Sequence, residues 1–379
     1  VTVAATETEA LRRPSAACPR PAFSPEAARD ILRRHGRGPL SRIALLPSYR
    51  YYFAPGGRSV LAYADSGSLR LALGEPAGPA GAAGADAIRE FAAHSRARGR
   101  RPVVVGVPRA GAEACRSAGL RVQRIGHEAL LRLDGFSLEG GRRRSLRQSV
   151  NRARRAGARF EIWDPPITRA EVSALAGVSD AWLATRRLRE RRFGAGWFHP
   201  EYLASGRVAV VRGRDGRIEA FANLLEGYSP DEASADLMRR RPGASPGAMD
   251  ALFAGIAAVY RDEGKKVFNL GLAPLAGLGR GVDATRTERV FGWMYRRGGG
   301  LFSFAGLFAF KAKFRPEWEP RYVGYDPGAF LPRVLLAAAD VRPGAEIRAR
   351  GARWTVKALA ALAFGGAGVG AGCTADSPI

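Results

Sequence analysis

Two stretches of the sequence carry side chains whose types and spacing suit chemistry. In the first, Asp236-Leu237-Met238-Arg239-Arg240-Arg241-Pro242, a carboxylate ends an apolar run and three arginines lead into a Pro- and Gly-rich loop, PGASPGAMD. A loop that opens a helix presents free N–H groups and suits a phosphate. Asp236 can hold an amine or orient a hydroxyl nucleophile, or it can form a salt bridge to Arg239 that fixes the loop. The second stretch is Phe304 to Tyr322, FAGLFAFKAKFRPEWEPRY, where Lys311, Lys313, Arg315 and Arg321 interleave with aromatic rings. On a helical period Phe304, Leu307, Phe308, Lys311 and Phe314 share one face. An unpaired ammonium in that apolar stripe is costly. Lys311 therefore either snorkels to water along its stem or lines a pocket that meets an anionic or carbonyl-bearing substrate. Glu288 is a further candidate carboxylate, with helix capping or arginine pairing as its other reading. Asn269, in an apolar run, needs hydrogen-bond partners.

Other chemistries find little support. Cys18, Cys115 and Cys373 have neither disulfide nor metal-ligand spacing, and His35, His94, His127 and His199 are scattered. No metal or cofactor is expected, and a reducing compartment is. No Ser/His/Asp order or cysteine nucleophile stands out.

The net charge of +25 and pI near 11.2 imply a polyanionic partner: nucleic acid, an anionic membrane surface, or both. The charge concentrates in GRRRSLRQSVNRARRAG (141–157), seven arginines without an acid. Leu146, Val150 and Ala153 give this segment a narrow apolar seam, so the spacing predicts a largely cationic helix. Arg143, Arg144, Arg147, Arg152 and Arg155, with Arg240, Arg315 and Arg321, are the candidate binders of nucleic-acid or lipid phosphate. The alternative is a solvated surface helix. The N-terminal residues lack the apolar core of a signal peptide. Ala358 to Cys373 is short of a bilayer span, so membrane contact is expected to be peripheral.

The elements that must position these residues fall into two similar series. Ser24 to Arg34 reads as a helix with Pro25 at its first position, and Arg42 to Phe53 as the start of a sheet. A hairpin over Ser59 to Leu73 is followed by a helix (Ala85 to Arg96), a strand (Pro102 to Val107), a helix (Ala110 to Ala118) and a strand (Arg121 to Leu133). Beyond the arginine helix, Thr168 and Glu171 form a capping box for a helix to about Thr185, which runs into a second basic cluster at 186–192. A hairpin over Gly206 to Leu225 then precedes a strand (Ala233 to Met238), a helix (Ala248 to Glu263) and a strand (Val267 to Leu272). Pro316 ends a short helix begun near Phe304, and an extended arm follows. The repeated β-hairpin/α/β order matches a duplicated acyltransferase fold of the acetyltransferase kind. The expected organisation is a flexible tail (1–22), a first acyltransferase-like subdomain (23–138), a second, catalytic one including the basic helix (139–328), and a C-terminal tail (329–379).

Taken in order, RRRSLRQSVNRARRAG (142–157), WFHPEYL (197–203), FANLL (221–225), DLMRRRP (236–242), MDALF (249–253), FNLGLAPLAGLG (268–279) and FAFKAKFRPEWEPRY (308–322) resemble the C-terminal catalytic domain of the lysylphosphatidylglycerol synthases, the multiple peptide resistance factor family. The resemblance covers about residues 126 to 325 and is less distinct in the first half. It implies an α/β fold of tandem acetyltransferase-like (GNAT-like) subdomains with mixed sheets, joined by a basic helix. It also implies aminoacyl transfer from charged tRNA to the glycerol hydroxyl of phosphatidylglycerol, at the inner face of the cell membrane. By the same resemblance Asp236, Arg239, Lys311, Lys313 and Glu288 are the site residues, aminoacyl-tRNA is the co-substrate and no further cofactor is implied. The flippase domain that often precedes the family's catalytic domain is not in this sequence. Where the family's motif reads N-F-Q-G-L, the chain has Ser303-Phe304-Ala305-Gly306-Leu307. Two other readings stay open: an acyl-CoA-dependent N-acyltransferase with pyrophosphate in the 239–248 loop, and a non-catalytic tRNA- or membrane-binding module.

Overall fold

The computed structural model describes residues 23–79, 84–186, 193–194, 196–226, 228–278, 288–289 and 304–339. The N-terminal tail, most of the 186–192 cluster, Ser303 and residues 340–379 lie outside them.

Eleven strands form one mixed sheet in the order β1-β2-β3-β4-β11-β5-β10-β9-β8-β7-β6. The first half supplies β1 (Arg50–Phe53), β2 (Val60–Ser66), β3 (Leu69–Leu73), β4 (Arg101–Val107) and β5 (Arg121–Arg132). The second supplies β6 (Arg159–Trp163), β7 (Val208–Arg212), β8 (Ile218–Glu226), β9 (Glu232–Arg240), β10 (Val267–Pro274) and β11 (Glu317–Tyr325). The two halves repeat one plan. An antiparallel hairpin (β2-β3 or β8-β9) is followed by a helix, α3 (Ala85–Ala97) or α8 (Ala248–Asp262). A strand parallel to the hairpin's second strand comes next, β4 on β3 or β10 on β9. Each half then exports its last strand. β11 lies between β4 and β5, and β5 pairs with β10. The antiparallel β5–β11 pair is thus the centre of a pseudo-two-fold arrangement, and the exchange makes one sheet of two units.

The extended arm expected after Pro316 is therefore a central strand. Pro320, which has no N–H to give a ladder, fits because β11 pairs only with β5 there; its pairing with β4 begins at Tyr322. The arginine segment forms α5 (Arg144–Arg155), with Leu146, Val150 and Ala153 buried against α8 as the spacing required. The capping box forms on α6 (Arg169–Arg186): Thr168 N and Oγ1 both donate to Glu171, and Glu171 N donates to Thr168 Oγ1.

Several elements depart from the sequence reading. β6 was not anticipated, although Phe160 and Ile162 alternate with Arg159 and Glu161 as an edge strand's residues do. A helical turn, α2 (Leu40–Ile43), overlaps the start of the stretch expected to begin the sheet, and β1 itself starts at Arg50. Another short helix, α7 (Pro200–Ala204), lies within the WFHPEYL motif. Residues assigned to a C-terminal tail begin with a helix, α10 (Leu331–Ala339), because Val334 and Ala337 pack into the core of the first unit. The helix before β11 is α9 (Phe304–Ala312).

Candidate active site

The site forms where β9 and β10 part. Their parallel pairing runs through Asn269–Ser234 and stops. Asp236 and Gly271 each lie two residues beyond, on either side of the opening. Both strands are bulged here. On β9, Ala222 pairs with Met238 and Leu224 with Ala235, so Asp236 and Leu237 together face Asn223. Asn223, buried, accepts a 2.7 Å hydrogen bond from Leu237 N and holds the irregular backbone. Such a bulge re-aims side chains: Ala235 packs with α5 and α8, whereas Leu237 packs with α6 on the opposite face. The Asp236 carboxylate is gripped on both oxygens, by Gly196 N (2.8 Å) and Tyr202 Oη (3.0 Å). A Cβ at 196 would overlap the carboxylate, so any larger residue there must push Asp236 aside. Burial, and then the Asp236 charge, push the Tyr202 phenol well above its ordinary range. Tyr202 thus stays a neutral donor. Asp236 and Arg239 do not pair with each other; the Arg239 guanidinium lies over the Trp182 ring, 4.2 Å from its centroid.

On β10 the register shifts between Asn269 and Leu272, with Gly271 at φ +81°. The carbonyls of Gly271 and Leu272 accept from Lys311 Nζ at 2.9 and 2.8 Å. Lys311 is 2 % exposed. It does not snorkel; its head is turned into the opening of the sheet. Burial lowers its pKa to about 7, against the opposing charge of Glu128 on β5. An ammonium has three donors, and two are used by these carbonyls.

The other expected site residues divide. Lys313 bonds both oxygens of the buried Asp250 carboxylate (3.1 and 2.9 Å), which also accepts from Ser149 Oγ. It fastens α9 to α8 and α5 rather than facing the opening. Glu288 accepts from Arg124 Nε at 3.1 Å. That is the arginine pairing already considered for it. Arg143 donates to the carbonyls of Ser137 and Phe314 and lies over the Phe136 ring, and Arg147 donates to those of Leu138 and Gly140. These bonds hold the 137–140 turn to α5 and leave Nη2 of each guanidinium without a bond among the described residues. Arg321 is bound to Glu128 and to Glu319. Arg144, Arg152, Arg155, Arg240 and Arg315 are exposed.

The phosphate loop expected at 239–248 is already filled. Ser245 N and Oγ donate to Glu219 (3.1 and 2.8 Å), and Gly247, at φ +91°, lies against the Ser149 backbone of α5. A pyrophosphate would have to compete with the Glu219 carboxylate for Ser245, which weighs against the acyl-CoA reading.

A cavity of about 280 Å³ lies between the two units, and Glu75, Glu128, Glu232, Asn269 and Arg321 are among its lining residues. Asn269 Nδ2 donates to Glu232 (2.8 Å), and its Oδ1 accepts from Gly271 N (2.8 Å). The same residue thus touches the cavity and the bulge that holds Lys311. Burial raises the Glu232 pKa; the Asn269 hydrogen bond opposes this, and the nearby Glu128 charge adds to it. Neither glutamate, nor Tyr202, was singled out from sequence. Tyr202 lies within the WFHPEYL motif, and the two acids had no local signal.

The sequence profile described as "Phosphatidylglycerol lysyltransferase, C-terminal" matches residues 29–325. The chain belongs to this family. A phosphatidylglycerol lysyltransferase of Bacillus subtilis (strain 168) is 32% identical over 301 residues, 79% of this chain and 35% of the relative. The chain thus spans about a third of the length of that curated relative. Among solved structures, the C-terminal domain of a protein described as a lysylphosphatidylglycerol synthetase from Agrobacterium fabrum is 35% identical, with a TM-score of 0.72 over 83% of this chain and 95% of that one. L-PGS from Bacillus licheniformis matches with the same TM-score and coverages at 31% identity. The family and the α/β architecture expected from the motif string both stand.

Proposed function

We propose that the chain transfers a lysyl group from charged tRNA to a glycerol hydroxyl of phosphatidylglycerol, working peripherally at the inner face of the cell membrane. The observation that carries the reading is the parted β9–β10 pair, with a doubly held carboxylate on one strand and a buried lysine bonded to the other. The relatives' names supply the lysyl group and the lipid. Among the described residues no helix is long and apolar enough to cross a membrane.

An aminoacyl ester is already activated, so the reaction needs proximity, a proton path and charge stabilisation at the carbonyl. The acceptor hydroxyl attacks the ester carbon, a new ester bond forms, and the bond to the tRNA ribose breaks. The hydroxyl proton ends on the departing ribose oxygen. Asp236, held by two donors, accepts a hydrogen bond from the attacking hydroxyl or the substrate α-ammonium. The third N–H of Lys311 is the donor for the carbonyl oxygen as it gains charge. Glu128 and Glu232 suit the ammonium at the end of a lysyl side chain.

The direct test is incubation with radiolabelled lysyl-tRNA and phosphatidylglycerol vesicles, followed by separation of the lipids. Label should move into a lipid more basic than phosphatidylglycerol. Lipid left unlabelled with every charged tRNA tried would refute the reading, and acyl transfer from a CoA thioester would replace it.

A further inference from the structure

The Asp236 carboxylate belongs to the second unit, but the chain that grips it is anchored in the first. Phe193 is buried in the first unit's core with Ile43, Leu46 and Tyr49, and its ring lies 5.8 Å from that of Tyr49. Gly194 N donates to Tyr49 Oη at 3.0 Å. Two residues on, Gly196 N donates to Asp236 Oδ1 at 2.8 Å. Phe198 then packs with Phe221 in the cluster beneath α6, ring centroids 6.5 Å apart. Positions 193 to 198 thus form a strap that runs from one unit's core to the other's, and Asp236 is held between its ends.

Two glycines in so short a strap leave its backbone few preferences of its own. Gly194 lies at φ +68°, in the left-handed region, and Gly196 lies against Asp236 itself. The course of the strap is therefore set by its anchors. Apolar packing of Phe193 is non-directional, whereas the Gly194 hydrogen bond has a direction and fixes how the chain leaves the first unit. Its acceptor is also fixed: Tyr49 is buried, and its backbone N donates to Leu46 O at 3.2 Å in the turn between α2 and β1. Among the described residues nothing accepts the Tyr49 O–H, so the Gly194 bond is what its hydroxyl does. Two residues of chain span about 7 Å at most, which keeps this bond close to the carboxylate. Burial raises the Tyr49 pKa; the Gly194 hydrogen bond opposes this, and the nearby Asp236 charge adds to it.

We infer that Tyr49 is a positioning residue of the active site: its hydroxyl oxygen holds the strap at Gly194, and the strap aims the Asp236 carboxylate through Gly196 N. The assignment rests on Asp236 acting in the proposed transfer, and it brings the first unit into that site. Tyr202, from the second unit, holds the other carboxylate oxygen. Asp236 is thus aimed by two hydrogen bonds, one of which depends on how the units meet.

The test is Tyr49→Phe, which keeps the ring against Phe193 and removes the oxygen. Gly194 is exposed, so water meets the freed N–H, and the melting temperature should stay within about 4 °C of the unaltered chain. Transfer from radiolabelled lysyl-tRNA to phosphatidylglycerol vesicles should fall about 10-fold, the worth of one hydrogen bond to a charged group. Hydrogen exchange, read by fragmentation mass spectrometry, should show the Gly196 amide exchanging about 10-fold faster. In an Asp236→Asn background the same substitution should change transfer by less than about 2-fold, because a residue that acts through Asp236 has nothing left to position. Losses that multiply in the double variant would make Tyr49 an independent contributor and overturn the assignment. Unchanged exchange at Gly196 would overturn it too. If the unaltered chain labels lipid and Tyr49→Phe does so equally, the strap assignment falls and the transfer reading survives. If the unaltered chain labels no lipid with any charged tRNA, the transfer reading falls and exchange at Gly196 decides the strap: faster exchange in the variant upholds it, and unchanged exchange overturns it.

Discussion

Replacing Lys311 by methionine separates a catalytic lysine from a structural one. In the folded chain its pKa is lowered from 10.5 to about 7 by burial. At or below pH 7 the folded state therefore holds a desolvated ammonium that costs about 5 kcal/mol relative to the unfolded chain, at about 1.4 kcal/mol per pH unit. Methionine removes that cost but leaves the Gly271 and Leu272 carbonyls without the donor. Two unmet buried acceptors cost about 2–6 kcal/mol together. The two effects nearly cancel, so Lys311→Met should be within about 2 kcal/mol of the parent at pH 6.5. The difference must then change with pH. Between the folded and unfolded pKa values the unfolded state binds more protons, so the parent gains stability as pH rises while the variant does not. From pH 7 to 9 the gap should move in the parent's favour by about 2.5 kcal/mol, measured by urea unfolding at both pH values. Transfer at pH 6.5, where the ammonium predominates, should fall about 10²–10³-fold in the variant, the effect of removing one preorganised donor. Parent activity should fall as pH rises through about 7, since the donor loses its charge. A stability gap that is flat between pH 7 and 9, or a variant with unchanged transfer, would refute the reasoning.

Two further substitutions probe the neighbours. Gly196→Ala should displace the Asp236 carboxylate and press on the Tyr202 ring, 3.1 Å from the added Cβ, costing about 1–3 kcal/mol in a thermal or urea melt. It should also lower lysyl transfer at least as much as it lowers stability. Glu232→Gln keeps the shape of the cavity wall and removes a charge, so preference for lysyl- over alanyl-tRNA should drop about 10- to 100-fold, the worth of one charge-assisted hydrogen bond. Unchanged preference in a competition between the two charged tRNAs would remove Glu232 from substrate selection.

Local signals in the sequence account for the elements and for part of the site. The hairpins around 65–67 and 214–216, the α5 seam and the helix ending before Pro316 each follow from turn chemistry or periodicity. The β5–β11 exchange does not, because pairing between Arg121–Leu130 and Glu317–Tyr325 leaves no trace in either segment alone. Asp236 was visible as an acid at the end of an apolar run, but the bulge that aims it depends on Asn223 from the neighbouring strand. Lys311 was visible as a charge on an apolar stripe, with two outcomes open. The bulge at Gly271 decided between them by turning two carbonyls to its head. The seven arginines of 142–155 look alike in sequence. Only their neighbours separate Arg143 and Arg147, bonded to carbonyls, from those left exposed.

The central claim is that the parted β9–β10 strands perform aminoacyl transfer through Asp236. Asp236→Asn keeps the size of the side chain and the hydrogen bond from Tyr202 or Gly196 while removing the charge. Radiolabelled lysyl-tRNA and phosphatidylglycerol vesicles, given to the parent and to this variant at equal folded concentration, should yield labelled lipid with the parent. The variant should yield at least about 10²-fold less, the scale of a missing general acid–base or charge contribution. Equal yields from the two proteins would contradict the account.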